Sequence, residues 1–192
     1  MKKYNKNLRI ARNGLAAAAL AAATLTFTGC LFSPPEEQPP EPAPEMTTPA
    51  NVLKNIETAY NQKLIENYKK ALSASFVFYF DPDDVGQKPP GKEYIIPESW
   101  SYTEDWDATE NMFENAYSIN LTIPTRNVGE PEPTATTFRA DNVSINLLVM
   151  VDELNGYHAD KGYCNFEFEK YKNQEGKDRW RLRKWWDFTA AE

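Results

Sequence analysis

Residues 48–80 are committed to helix, helix and strand with almost no slack, and everything downstream must pack on that unit. Thr48 has a side chain suited to cap a helix, and Pro49 stands at the first helical position, where the N–H it lacks has no intrahelical partner. Val52, Ile56 and Tyr60 recur at i, i+4 and i+8 with Leu53 and Ala59 beside them, which predicts one apolar face. Asn61 is placed to close this helix. Leu64, Tyr68, Ala71 and Leu72 predict a second short amphipathic helix, with Glu66, Lys69 and Lys70 on its wet side. Ser73, Ala74 and Ser75 release the chain into residues 76–80, five consecutive large side chains that predict a strand covered on both faces.

Past this unit the pattern switches between the helical and strand periods. The run Asp81-Pro82-Asp83-Asp84 resembles a calcium loop only at its start: the fifth position is Val85 and the twelfth is Lys92, where oxygen ligands are required, so it reads as a turn with no metal. Residues 87–97 carry the glycine and prolines of a loop. Ser101 followed by Glu104 is a capping box, which predicts a helix with Tyr102, Trp106, Thr109, Phe113 and Ala116 inward. Glu104, Asp105, Asp107, Glu110 and Glu114 fall on its wet face, the first of them near the positive helix end. Asp105 and Glu110 are five apart, so they point in different directions and make a poor acid–base pair.

Residues 117–123 and 143–151 alternate cleanly, as half-buried antiparallel strands do, with residues 124–141 a long connection between them. Ser118, Asn120, Thr122, Ser144 and Asn146 fall opposite the bulky side chains. Residues 154–162 read as a turn that holds His158 and Asp160. Residues 163–171 alternate again, with Cys164, Phe166 and Phe168 on one face, and residues 173–177 form a hairpin turn. The last strand, 179–188, places Trp180, Leu182, Trp186 and Phe188 on one face and Arg179, Arg181, Arg183, Trp185 and Asp187 on the other.

The N-terminus is an address. Residues 1–29 hold five basic residues and no acidic one, and residues 15–27 are an apolar run of 13. A bilayer span needs about 20 apolar residues, so the run suits a signal peptide instead. It ends at Thr26-Phe27-Thr28-Gly29-Cys30, which resembles a bacterial lipobox with Phe27 where Leu is usual. The resemblance implies a lipid anchor on Cys30, with acyl chains that hold the protein on the outer membrane, where the source has one, and the domain outside the cytoplasm. Residues 33–49 contain seven prolines and four glutamates, an extended tether. The domain limits are therefore 1–29 for the leader, 30–49 for lipidated Cys30 and tether, and 50–192 for the folded domain. Without the leader the chain carries 16 basic and 28 acidic residues, a formal −12 that argues against nucleic acid as a partner.

The order of elements predicts an α+β fold, a curved antiparallel sheet wrapped around N-terminal helices in a cone-like, cystatin-type roll. Residues 52–61, 68–80 and 106–113, then Gly176, Trp180-Arg181-Leu182 and Trp185 with Asp187, resemble the nuclear-transport-factor-two-like (SnoaL-like) cone fold, and within it a group of bacterial lipoproteins. That resemblance implies a pocket at the wide end of the cone, for which Tyr60, Phe78, Trp106, Phe113 and Trp180 are the candidate lining residues. It also implies several possible roles. One is a non-catalytic domain that binds a small hydrophobic ligand or an envelope protein. Another is an isomerase or dehydratase with an acidic or histidine residue in the pocket. A third is a homodimer formed through the outer sheet face, where Trp185 is expected. No catalytic set, metal site or cofactor is legible. Cys164 reads as a small buried hydrophobe, His158 as an exposed turn residue, and the Arg179–Lys184 run as a basic stripe paired with acids elsewhere.

Overall fold

The structure, a computed structural model, describes residues 42–88 and 93–188. The leader, Cys30 and the tether up to residue 41 lie outside the described residues. Helix α1 (Pro49–Asn61) is followed by α2 (Ile65–Ala71), β1 (Leu72–Tyr79), β2 (Ser99–Ser101), α3 (Tyr102–Asn115), β3 (Ser118–Thr122), β4 (Thr137–Met150), β5 (Gly156–Lys172) and β6 (Asp178–Phe188). The strands form one sheet in the order β2-β1-β6-β5-β4-β3. Neighbours are antiparallel except β1 and β6, the first long strand and the last, which run parallel. The fold is α+β, with the helices packed on one face of a curved, unclosed sheet.

The helices form for the reasons their sequences suggest. The Thr48 hydroxyl accepts the Asn51 N–H at 3.2 Å, and Pro49 occupies the first turn. Val52, Leu53, Ile56 and Ala59 are fully buried along α1. The connection to α2 is short, and β1 begins directly at Leu72 without a linking loop. In α3 the capping box is made, with Glu104 accepting from the Ser101 backbone at 2.8 Å. Tyr60, Tyr68 and Phe113 meet edge to face, with ring centroids 5.4, 5.1 and 6.5 Å apart, and join the three helices.

Strand β3 is one edge of the sheet, and α1 covers its free backbone. Asn61 receives the Leu121 N–H at 2.6 Å and donates to the Leu121 carbonyl at 2.9 Å, while Glu57 accepts the Ile123 N–H at 2.8 Å. Two side chains of a helix thus stand in for a missing strand, which closes a surface that would otherwise pair with another chain.

Three differences from the sequence reading share one physical cause, the pairing of long strands. Strand β4 already starts at Thr137, inside the expected connection, and bends at Asn142, where φ is 55°. Two residues there oppose one on β5, a bulge. Strand β5 starts at Gly156, so His158 is an exposed strand residue opposite Leu148 rather than a turn residue. In β6, Leu182 pairs with Phe168 and Lys184 with Glu167, which leaves Arg183 as an extra residue. One extra residue exchanges the two faces of everything beyond it. Trp180 and Leu182 face the core as expected, but past Arg183 it is Trp185 that is buried, 5% exposed, and Trp186 that faces outward. Trp186 stacks on Tyr79 at 5.3 Å, and Phe188 on Tyr163 at 5.5 Å, along the outer face.

The basic stripe of β6 is neutralised across the strands. Arg181 reaches Glu169 at 3.2 Å, and Arg183 and Lys184 reach Glu167 at 3.3 and 3.6 Å. The start of β6 also holds the end of the Pro/Glu-rich segment. The Trp180 N–H donates to the Met46 carbonyl at 2.8 Å, and Arg179 pairs with Glu45 at 2.6 Å. Asn55 of α1 donates to the Pro44 carbonyl at 2.6 Å from the other side.

Candidate functional site

A cavity of about 260 Å³ opens between α3 and the concave face of the sheet. Its wall is built from register. Trp100 of β2, Phe78 of β1, Trp185 of β6 and Phe166 of β5 are successive cross-strand partners. Their rings run 6.2, 5.6 and 5.1 Å apart in a single row, of which the first three line the cavity. Leu121, Ile145 and Leu147 continue the apolar wall on β3 and β4, and Ala108, Thr109 and Met112 of α3 face them with Tyr60 of α1. Among the described residues, two charged side chains line this space, Asp105 and Asp187.

Asp105 corrects the helix reading. It was expected on the wet face of α3, but it is 5% exposed. It lies four residues before Thr109 and eight before Phe113, on the same stripe, and position outweighs charge. The Tyr68 hydroxyl donates to Asp105 Oδ2 at 2.7 Å. Burial lifts the Asp105 carboxyl from 3.8 to about 6, against the opposing pull of that hydrogen bond. Burial also raises the Tyr60 and Tyr68 hydroxyls, and the Asp105 charge pushes both in the same direction. Both phenols therefore stay protonated at neutral pH.

Asp187 enters the cavity because of the extra residue at Arg183; a regular strand would place it outside. The Cys164 thiol donates to Asp187 Oδ1 at 3.4 Å. Burial raises the Asp187 carboxyl, and the like charges of Asp81 and Asp84 raise it further, while the thiol opposes. Burial and the Asp187 charge push the Cys164 thiol well above its ordinary range, so it is no nucleophile at neutral pH. Asp81 itself accepts the Asp83 N–H at 2.9 Å within its turn.

Of the residues expected to line a pocket, Tyr60 and Phe78 do so. Phe113 is buried one layer deeper, edge to face against Tyr60. Trp106 lies on the flank of α3 beneath Lys69, whose Nζ sits 3.7 Å above its ring. Trp180 is buried at the far end of β6, beside Met46. Helix α3 is rotated so that Asp105, Thr109 and Phe113, rather than Trp106, form its inner ridge. His158 is exposed on β5, 3.4 Å from Asn146, and takes no part in the cavity; the Asp160 side chain lies outside the described residues. Among the described residues no cluster of three or more histidine, cysteine or acidic side chains is arranged to hold a metal ion. Among them, too, no helix is long and apolar enough to cross a membrane.

No protein-family model matches the chain, and no curated protein matches it in sequence. Solved structures match it in shape. One is a nuclear transport factor 2-like superfamily protein from Salmonella enterica serovar Typhimurium. It is 10% identical, covers 74% of this chain and 89% of its own, and has a TM-score of 0.50. Another, from Thiobacillus denitrificans, is named as a candidate calcium/calmodulin-dependent protein kinase type II association domain. It is 10% identical, covers 77% of this chain and 99% of its own, and has a TM-score of 0.50. The chain therefore has an α+β roll of the cone type. More narrowly, it has the nuclear-transport-factor-two-like fold, as the residue pattern implied; at such identities the likeness concerns fold alone.

Proposed function

We propose that this is a lipid-anchored bacterial envelope protein whose cone domain binds a small hydrophobic molecule in the cavity between α3 and the sheet. The observation that carries the reading is a preformed apolar cavity whose wall includes one buried carboxyl, Asp105, and one half-buried carboxyl, Asp187. Apolar cavities of about 150 Å³ take a benzene ring. The cavity here, about 260 Å³, suits one ring with a short substituent. The leader, the lipobox-like residues before Cys30 and the tether support attachment to a membrane.

The test is a thermal shift screen of single-ring compounds against the chain and against Ile145→Trp, which fills the cavity. Stabilisation of the wild type by a subset of compounds, lost in the variant, is the expected result. No stabilisation by any compound, or stabilisation that persists in the variant, rejects a cavity ligand. For the anchor, Cys30→Ser should move the protein from the detergent-rich to the aqueous phase; an unchanged partition rejects lipidation at Cys30.

A second reading is favoured by Asp105. A carboxyl near 6, touching the cavity and held by a phenol, suits general acid–base work at neutral pH. In this reading the domain is an isomerase or dehydratase acting on a hydrophobic ring compound. Solvent deuterium incorporation into a bound cyclic ketone, abolished by Asp105→Asn, is its signature; incorporation unaffected by that substitution rules it out.

A further inference from the structure

Charge around the cavity is one-sided. Asp105 and Asp187 line it, and among the described residues no cation lines it with them. Asp187 also feels the negative Asp81 and Asp84 beside it. The cations of β6 do not help, because Arg181, Arg183 and Lys184 are engaged by Glu169 and Glu167 across the strands. A buried carboxylate without a cation is costly to hold, and the cost falls when a positive group enters with a ligand.

A second, independent observation concerns the wall. Trp185 is 5% exposed and lines the cavity with its ring, while its indole N–H is turned into the protein beside the Cys164 sulfur. The faces of Trp100, Phe78 and Trp185, in one row, also attract a cation held within about 6 Å.

We infer that the cavity selects a small hydrophobic amine, with its ammonium group against the Asp187 carboxylate and its carbon skeleton along the Trp100, Phe78 and Trp185 rings. This rests on the small-ligand reading above and narrows it to a chemical class. Asp105, on the opposite helical wall and already bonded to Tyr68, provides the second acceptor.

The experiment uses the full-length chain and two probes of nearly equal shape, 2-phenylethylamine and 2-phenylethanol. Binding is followed near neutral pH by tryptophan fluorescence, since Trp100 and Trp185 are in the wall. The amine should bind at least about tenfold more tightly than the alcohol. In Asp187→Asn the ratio of the two affinities should fall to about one. Asp105→Asn, which alters the other carboxyl, provides a second variant should Asp187→Asn fail to fold, and should reduce the ratio less. Equal affinities in the wild type overturn the amine class while leaving a cavity ligand in place. A preference for the amine that survives in both variants overturns the assigned partner. No response to either probe in the millimolar range rejects the amine and the small-ligand reading together.

Discussion

Replacing Asp105 by asparagine is expected to stabilise this protein at neutral pH, and to do so only there. The carboxyl is buried, has one protein donor in Tyr68, and titrates at about 6 instead of 3.8. Its folded value is raised, so its favourable contribution is fully present below the unfolded value and is lost as the pH rises through the folded one. The window is therefore about pH 4 to 6. Raising the carboxyl from 3.8 to about 6 corresponds to roughly 3 kcal/mol. Asparagine keeps the acceptor for the Tyr68 hydroxyl and carries no charge. Other carboxylates also titrate on acidification, among them Asp152 and Asp178, which are held below their ordinary range by Asn155 and Lys172 respectively. The meaningful quantity is therefore the difference between variant and wild type, measured by urea unfolding at about pH 7.5 and again at about pH 3.8. Asp105→Asn should be favoured by roughly 3 kcal/mol more at the higher pH than at the lower. A difference independent of pH would show that Asp105 is solvated or paired in the folded state, and the account of the cavity would fail with it.

Tyr68→Phe should destabilise the fold by about 1.5–3 kcal/mol at neutral pH, because it strips a buried carboxylate of its donor, and calorimetry at neutral pH checks this. Asn61→Ala unpairs both Leu121 backbone groups, so the Leu121 amide should exchange with solvent far faster, at a stability cost of about 1–3 kcal/mol; unchanged exchange would mean that α1 does not cover the β3 edge. Phe166→Ala, at the buried end of the aromatic row, should cost about 3–5 kcal/mol in urea unfolding, and a loss below about 1 kcal/mol would contradict the packing described.

The parts of the fold that were legible are those whose signals are local. Thr48 with Pro49, and Ser101 with Glu104, marked helix starts by the chemistry of a single turn. Ile119 and Leu121 alternating with Ser118, Asn120 and Thr122 marked β3 and its buried face correctly. What escaped depends on partners distant in sequence. Gly156 and Gly162 punctuate a stretch that reads as a turn, yet pairing with β4 holds it extended, and His158 is carried into a strand with it. Nothing about Arg183 marks a bulge: no glycine or proline stands there, and the extra residue exists only in relation to Phe168 and Glu167 on the neighbouring strand. Asp105 was legible in principle, since its spacing from Thr109 and Phe113 places it on the inner stripe, but an aspartate is so seldom buried that its charge outweighed its position. Both carboxyls of the site were missed for these two reasons, and the aromatic wall was only half found, because Trp185 and Trp100 owe their places to register.

The extra residue in β6 gives the cavity something like a reading frame. Insert one residue between Lys184 and Trp185, with the bulge kept, and the terminal segment shifts by a single step: Trp186 and Phe188 turn inward, and Trp185 and Asp187 are read out to solvent. No point substitution could change as much of the wall at once. The lining would lose a carboxyl and gain a phenylalanine, becoming a greasier vessel on the same scaffold. In a lineage of such domains, a one-residue change of length near the end of the last strand is therefore a single-step route between binding an ion-bearing guest and binding a purely apolar one.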